Sequence, residues 1–186
     1  MTRLVARGRS IAAVGLLLAA ALGLLAATQP WGSVELVDGR TLAAAGQQLA
    51  PGLTMTSFAC AALALVLPLA GRIWRWVLGV LALVLGGAAI ATTLGARGEV
   101  PTALDALVAE ATGLAGAGHA SEVVRLTASG WPDAGLAAGA LAVAAGAWVL
   151  ATSHRWPARA ARTARYERGG SGLAWDVMDD GEDPTR

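Results

Sequence analysis

Apolar residues along this chain come in long unbroken runs, not in the alternation of a half-buried strand or the one-sided spacing of a soluble amphipathic helix. Four runs stand out, at residues 11–28, 53–70, 76–94 and 134–152, and none contains Asp, Glu, Arg, Lys or His. A helix rises about 1.5 Å per residue, so roughly 20 apolar residues cross a hydrocarbon layer about 30 Å thick. Backbone groups in lipid must be hydrogen-bonded within their own segment, which predicts helices for all four runs. The fold class is therefore all-α, an integral membrane bundle of four transmembrane helices spanning residues 11–152.

The first run follows a basic stretch, as the apolar region of a secretory signal does. Ala26-Ala27-Thr28 resembles a weak cleavage site, but the run is longer than the roughly 7–15 residues of a signal core. It is expected to stay as a true span.

The polar segments between the runs carry the topology. Residues 1–10 hold Arg3, Arg7 and Arg9 without an acid, and the turn between the second and third runs holds Arg72 and Arg75. After the fourth run come Arg155, Arg159, Arg162, Arg165 and Arg168, with Glu167 the one acid among them. The other two segments reverse the bias. Glu35 and Asp38 face Arg40 in the first, and five acids face Arg97 and Arg125 in the second. Arginine collects on the cytoplasmic side of multi-pass proteins. A basic cytoplasmic N-terminus (1–10) and a cytoplasmic tail (153–186), basic and then acidic, are thus expected in the cell (inner) membrane.

Small residues recur every fourth position in the first run, at Gly15, Ala19, Gly23 and Ala27. Gly135 with Gly139 and Ala82 with Gly86 repeat the spacing in the fourth and third. Such stripes let helix backbones approach closely in lipid, within one chain or in a homo-oligomer. Pro68 is expected to kink the second span. Between the third and fourth runs, residues 101–117 place Leu104, Leu107, Val108, Ala111 and Leu114 on one face. This predicts a separate short amphipathic helix beginning at Pro101 and lying on the outer surface or capping the bundle.

Composition narrows the chemistry. The chain has 186 residues, 55% of them hydrophobic, and a formal charge of +1, which suits neither nucleic acid nor an acidic substrate. The single cysteine, Cys60, excludes an internal disulfide and reads as a packing residue inside the second span. His119 and His154 fall on opposite sides of the membrane and cannot share a metal. Thr54, Thr56 and Ser57 are expected to bond their own helix backbone. Six of the seven Trp residues, Trp31, Trp74, Trp76, Trp131, Trp148 and Trp156, flank the spans, as expected of an interfacial belt. No nucleophile elbow, zinc-helix motif or phosphate loop occurs, and no ionisable group lies within a span where a coupled pump would need one. The expectation is a protein without catalytic, metal or cofactor sites.

After Arg168, the Gly169–Gly172 stretch is a flexible linker and residues 173–186 are acidic around Trp175. The tail is expected to be disordered alone, with its arginines held to anionic lipid at about 1 kcal/mol each. Gln29-Pro30-Trp31 after the first span, Arg165-Tyr166-Glu167-Arg168 after the fourth, Trp175-Asp176, and the run from Gly181 to Thr185 together resemble the tryptophan-associated transmembrane proteins of actinobacteria. The genes of that family sit beside tryptophan biosynthesis genes. Gln-Pro-Trp-Gly departs from relatives with a second aromatic there. The resemblance implies a role connected with tryptophan and supplies no molecular activity. Two functions follow as expectations. One is a non-enzymatic protein docking a cytoplasmic protein partner through a tail that includes Tyr166, Trp175, Asp176, Asp183, Pro184 and Thr185. The other is a facilitator of tryptophan, indole or a precursor.

Overall fold

A computed structural model describes residues 8–113 and 123–156 of the chain. Helix α1 (Gly8–Thr28) leads into strands β1 (Pro30–Leu36) and β2 (Thr41–Ala45) and a single turn, α2 (Gly46–Leu49). Helix α3 (Pro51–Val66) ends in a 3-10 turn over Leu67–Leu69. Helix α4 runs without interruption from Arg72 to Thr112, then come strand β3 (Val123–Ala128) and helix α5 (Trp131–Thr152). Four helices, Gly8–Thr28, Pro51–Leu69 with its 3-10 turn, Arg72–Thr112 and Trp131–Arg155, are long and apolar enough to cross a membrane. All four predicted runs lie within them except for Ala70, the last residue of the second.

Local chemistry explains the ends. Pro51 and Pro132 occupy the first turns of α3 and α5, where a missing N–H costs nothing. Pro68 lies in the 3-10 turn that ends α3, a tightened last turn near the span's end where a local kink was expected. Gly113 closes α4 in the left-handed conformation, φ 69°, and its N–H bonds the Ala109 carbonyl at 2.9 Å.

The bundle closes as a ring in the order α1, α3, α4, α5, each helix packed on its two neighbours. Its interior is built from small residues, including Ala12, Ala19, Ala20, Ala82, Ala138, Ala142 and Ala145, while Val14, Leu18, Phe58, Leu65, Val80 and Val84 face outward. A soluble bundle does the opposite. In lipid the outer face is as apolar as the inner, so packing is decided by which side chains let backbones approach.

The closest approach is between α4 and α5. A Cβ placed on Gly86 would lie 2.8 Å from the Gly139 carbonyl oxygen, and one on Gly139 2.9 Å from that of Gly86. One turn-pair along, a Cβ on Gly146 would lie 2.9 Å from the Gly79 oxygen. Gly79, Gly86 and Thr93 on α4 and Gly135, Ala142 and Val149 on α5 repeat every seven residues along buried faces. This keeps one seam in register over the span. The stripe on α1 is also used within the chain. Ala19, Gly23 and Ala27 are buried, and Gly23 abuts the Ser57 hydroxyl and, at 3.5 Å from its added Cβ, Ala138.

The all-α expectation needs correction at one end of the bundle, where β2, β1 and β3 form an antiparallel sheet with β1 in the centre. The β1–β2 hairpin turns through Asp38-Gly39: the Gly39 N–H bonds the Leu36 carbonyl at 2.9 Å and Gly39 takes φ 86°. The β1–β3 pairing joins Gly32 to Ala128 and Val34 to Leu126 across the whole length of two spans.

The expected separate helix at 101–117 is also corrected. Residues 101–112 continue α4, and Pro101 lies inside it. At about 1.5 Å per residue a 41-residue helix is roughly 60 Å long, twice the hydrocarbon thickness. Its far part therefore projects beyond the span and carries the sheet. Val100, Leu104 and Val108 are buried in one cluster with Trp31, Val34 and Leu36 of β1. A proline disfavours helix both at its own position and just before it. Burial of this face against the sheet outweighs that local cost.

Candidate functional site

The proposed docking residues Tyr166, Trp175, Asp176, Asp183, Pro184 and Thr185 lie outside the described residues, as do His119 and residues 114–117 of the predicted amphipathic stretch. The candidate sites within the described residues are the bundle interior and its two ends.

Thr56 donates to the Gly52 and Leu53 carbonyls at 2.8 and 3.1 Å, and Ser57 donates to Leu53 at 2.7 Å, so both hydroxyls serve their own helix as expected. Thr54 departs from that expectation: its hydroxyl, like that of Thr93, is buried with no hydrogen-bond partner among the described residues. Between Ser57, Cys60, Gly139 and Ala142 remains a void of about 10 Å³, room for one water at most. Cys60 is buried there as the packing residue the sequence suggested.

The end where α1 begins and α5 finishes gathers arginine around tryptophan. Arg75 is 4% exposed, its Nε donates to the Ala70 carbonyl at 3.1 Å, and its guanidinium sits 5.5 Å from the centre of the Trp156 ring. Trp156 donates from Nε1 to the Thr152 hydroxyl at 3.1 Å, and Trp148 donates to the Gly8 carbonyl at 3.3 Å. The tryptophan belt thus divides. Trp74 and Trp76 are exposed as interfacial rings should be, whereas Trp31 and Trp156 are core residues at opposite ends.

Trp31 shows why. It lies three residues past the end of α1, where the last carbonyls lack helix donors, and its Nε1 donates to the Ala26 carbonyl at 2.9 Å. The ring, 1% exposed, is packed against Gly46, where any side chain would collide with it. Gly32 beside it is equally constrained, since a Cβ there would lie 2.8 Å from Val100 and 2.9 Å from Leu104.

Between β3 and the projecting part of α4 lies a cleft of about 190 Å³, lined on the apolar side by Trp31, Val100, Leu104, Leu126 and Pro132. Arg97 reaches it from α4 and is held by a 2.7 Å ion pair to Asp133 in the first turn of α5. Ser129, also in the lining, is occupied by its bond to the Pro30 carbonyl at 2.6 Å. The nearby hairpin holds a second pair. Asp38 accepts from the Arg40 backbone N–H at 2.9 Å and from its Nε at 2.6 Å, and these bonds hold the Asp38 carboxyl below the usual carboxylate range. No group of three metal-ligating side chains comes together among the described residues.

Sequence reasoning missed the cleft because its walls come from four elements, β1, α4, β3 and α5, distant in the chain. One local signal was available: Asp-Gly between apolar, β-prone segments marks a hairpin.

The chain was compared with known proteins. Neither the curated proteins nor the solved structures yield a match. A family model described as tryptophan-associated transmembrane protein matches residues 13–185, from the first span to the last residues of the tail. With four membrane-length helices and that match over nearly its whole length, the chain belongs to the tryptophan-associated transmembrane protein family.

Proposed function

We propose that this protein is a non-enzymatic component of the inner membrane, with both termini cytoplasmic, that serves tryptophan metabolism by recognition at the ends of its bundle, not by conducting a solute through it. The observation that carries this reading is the backbone-to-backbone contact of α4 and α5. The α4 and α5 backbones meet at Gly86 and Gly139, and the void beside them holds no more than a water. A tryptophan or indole ring has no path along such a seam without separating the helices.

Orientation is supported by Arg9, Arg72, Arg75 and Arg155, all at the end where α1 starts and α5 finishes. The family match supports the tail as a docking element, because it extends through Tyr166, Trp175 and Asp183 to Thr185. A cytoplasmic protein of tryptophan biosynthesis is the partner this reading expects.

Flux of labelled tryptophan and indole into proteoliposomes tests the reading. Flux equal to that of empty vesicles is expected, together with cross-linking of a cytoplasmic partner that disappears when residues 157–186 are deleted. Saturable flux above empty vesicles would establish the facilitator function instead.

A further inference from the structure

We infer that the cleft between β3 and the projecting part of α4 is a binding site for a zwitterionic α-amino acid with a bulky apolar side chain. The inference goes beyond the function proposed above and does not rest on the tail or on a partner. It rests on one apolar cavity with one pair of opposite charges beside it.

Size sets the first limit. A cavity of about 150 Å³ holds a benzene-sized ring, whereas drug-sized ligands occupy roughly 300–1,000 Å³. At about 190 Å³ and open on one side, this cleft takes a single aromatic or branched aliphatic side chain, up to a fused two-ring one. Trp31, Val100, Leu104 and Leu126 give that group an apolar lining. The polar atoms of Trp31 and Ser129 are already bonded within the protein, so neither competes for the ligand's ring.

Charge sets the second limit. Arg97 lines the cleft, and its Nη1 meets Asp133 Oδ1 at 2.7 Å with both side chains about half exposed. A guanidinium has five N–H donors and a carboxylate about four acceptor sites, so one contact leaves most of each free. An α-amino acid carries its own carboxylate and ammonium on a single carbon, adjacent and opposite. It can lay its carboxylate on Arg97 and its ammonium on Asp133 without breaking their bond. A purely anionic ligand would meet the Asp133 charge, and a purely cationic one the Arg97 charge.

The test is equilibrium binding of labelled L-tryptophan to the full chain in nanodiscs, with L-leucine, L-alanine, tryptamine and indole-3-propionate as competitors. Saturable L-tryptophan binding is expected with a dissociation constant on the order of 0.1–1 mM. L-leucine should compete, and L-alanine, tryptamine (no carboxylate) and indole-3-propionate (no ammonium) should each be about tenfold weaker. Arg97→Gln should weaken L-tryptophan about tenfold and tighten tryptamine, and Asp133→Asn should tighten indole-3-propionate in the same way. Ala128→Phe fills the cleft from β3 and should abolish binding while the ion pair stays. It also keeps the test decisive if a charge variant fails to fold. Absence of saturable binding, or affinity untouched by Ala128→Phe, would overturn the assignment, as would tryptamine or indole-3-propionate binding as tightly as L-tryptophan. Because this assay reads binding and the proteoliposome assay reads passage, the two proposals fail separately.

Discussion

Gly86 and Gly87 are neighbours on one helix, yet they should respond to the same substitution in opposite ways. A Cβ on Gly86 meets backbone, 2.8 Å from the Gly139 oxygen and 2.7 Å from the Val143 nitrogen, whereas a Cβ on Gly87 meets nothing within 4 Å. Backbone in a packed helix cannot swing aside as a side-chain end can, so Gly86→Ala must push α5 away by several tenths of an ångström. That loosens the contact between Gly79 and Gly146 further along the seam. Overpacking of this kind costs about 1–3 kcal/mol, and Ala for Gly in a helix returns up to about 1 kcal/mol. With a mid-range cost of about 2 kcal/mol and a return of about 1, the net loss for Gly86→Ala is about 1 kcal/mol, a fall in melting temperature of roughly 2–4 °C for a domain of this size. Gly87→Ala should leave the midpoint unchanged or raise it slightly. Intrinsic tryptophan fluorescence during heating, in detergent or nanodiscs, reads both. The facing change Gly139→Ala probes the same contact, so the double variant with Gly86→Ala should lose less than the sum of the two singles. Equal midpoints for the Gly86 and Gly87 variants would refute a seam limited by backbone contact.

Three further outcomes follow from individual side chains. Trp31→Phe keeps much of the ring but strands the Ala26 carbonyl, so it should cost about 1 kcal/mol, while Trp31→Ala should cost about 3–5 kcal/mol; thermal unfolding ranks them. Arg75→Ala should lower the unfolding midpoint through loss of its buried stem and ring contact, about 1–2 kcal/mol, whereas the exposed Arg72→Ala should stay within about 0.5 kcal/mol. Asp38 should titrate below 3.8 by carbon-detected NMR. Its bonds to Arg40 favour the folded hairpin above the unfolded carboxyl pKa and lose that effect as pH falls through the lowered folded value. Arg40→Gln should move the titration upward, and an unchanged titration would mean that the side-chain pair contributes nothing.

The four spans were legible in the sequence because hydrocarbon imposes a simple requirement: uncharged, mostly apolar runs of helix-spanning length, with ionisable residues excluded by desolvation. Residues 11–28, 53–70, 76–94 and 134–152 meet it one at a time, with no knowledge of neighbours. The stripe at Gly15, Ala19, Gly23 and Ala27 was equally visible, but its use was not. Any small-residue stripe suits a partner helix, and only the ring order of the bundle decides that this one faces α3 and α5. Pro101 misled for a related reason. Its local preference marks a helix start, while the burial of Val100, Leu104 and Val108 under β1, which keeps α4 continuous, comes from residues far away in the chain. The cleft is the extreme case. Trp31, Arg97, Leu126 and Asp133 carry no common spacing, and they meet because β1 pairs with β3 across the two spans between them. Membrane insertion is a property of each segment's own composition and so is written along the chain. A cleft depends on which distant surfaces touch, and that is decided only when the sheet and the bundle pack together.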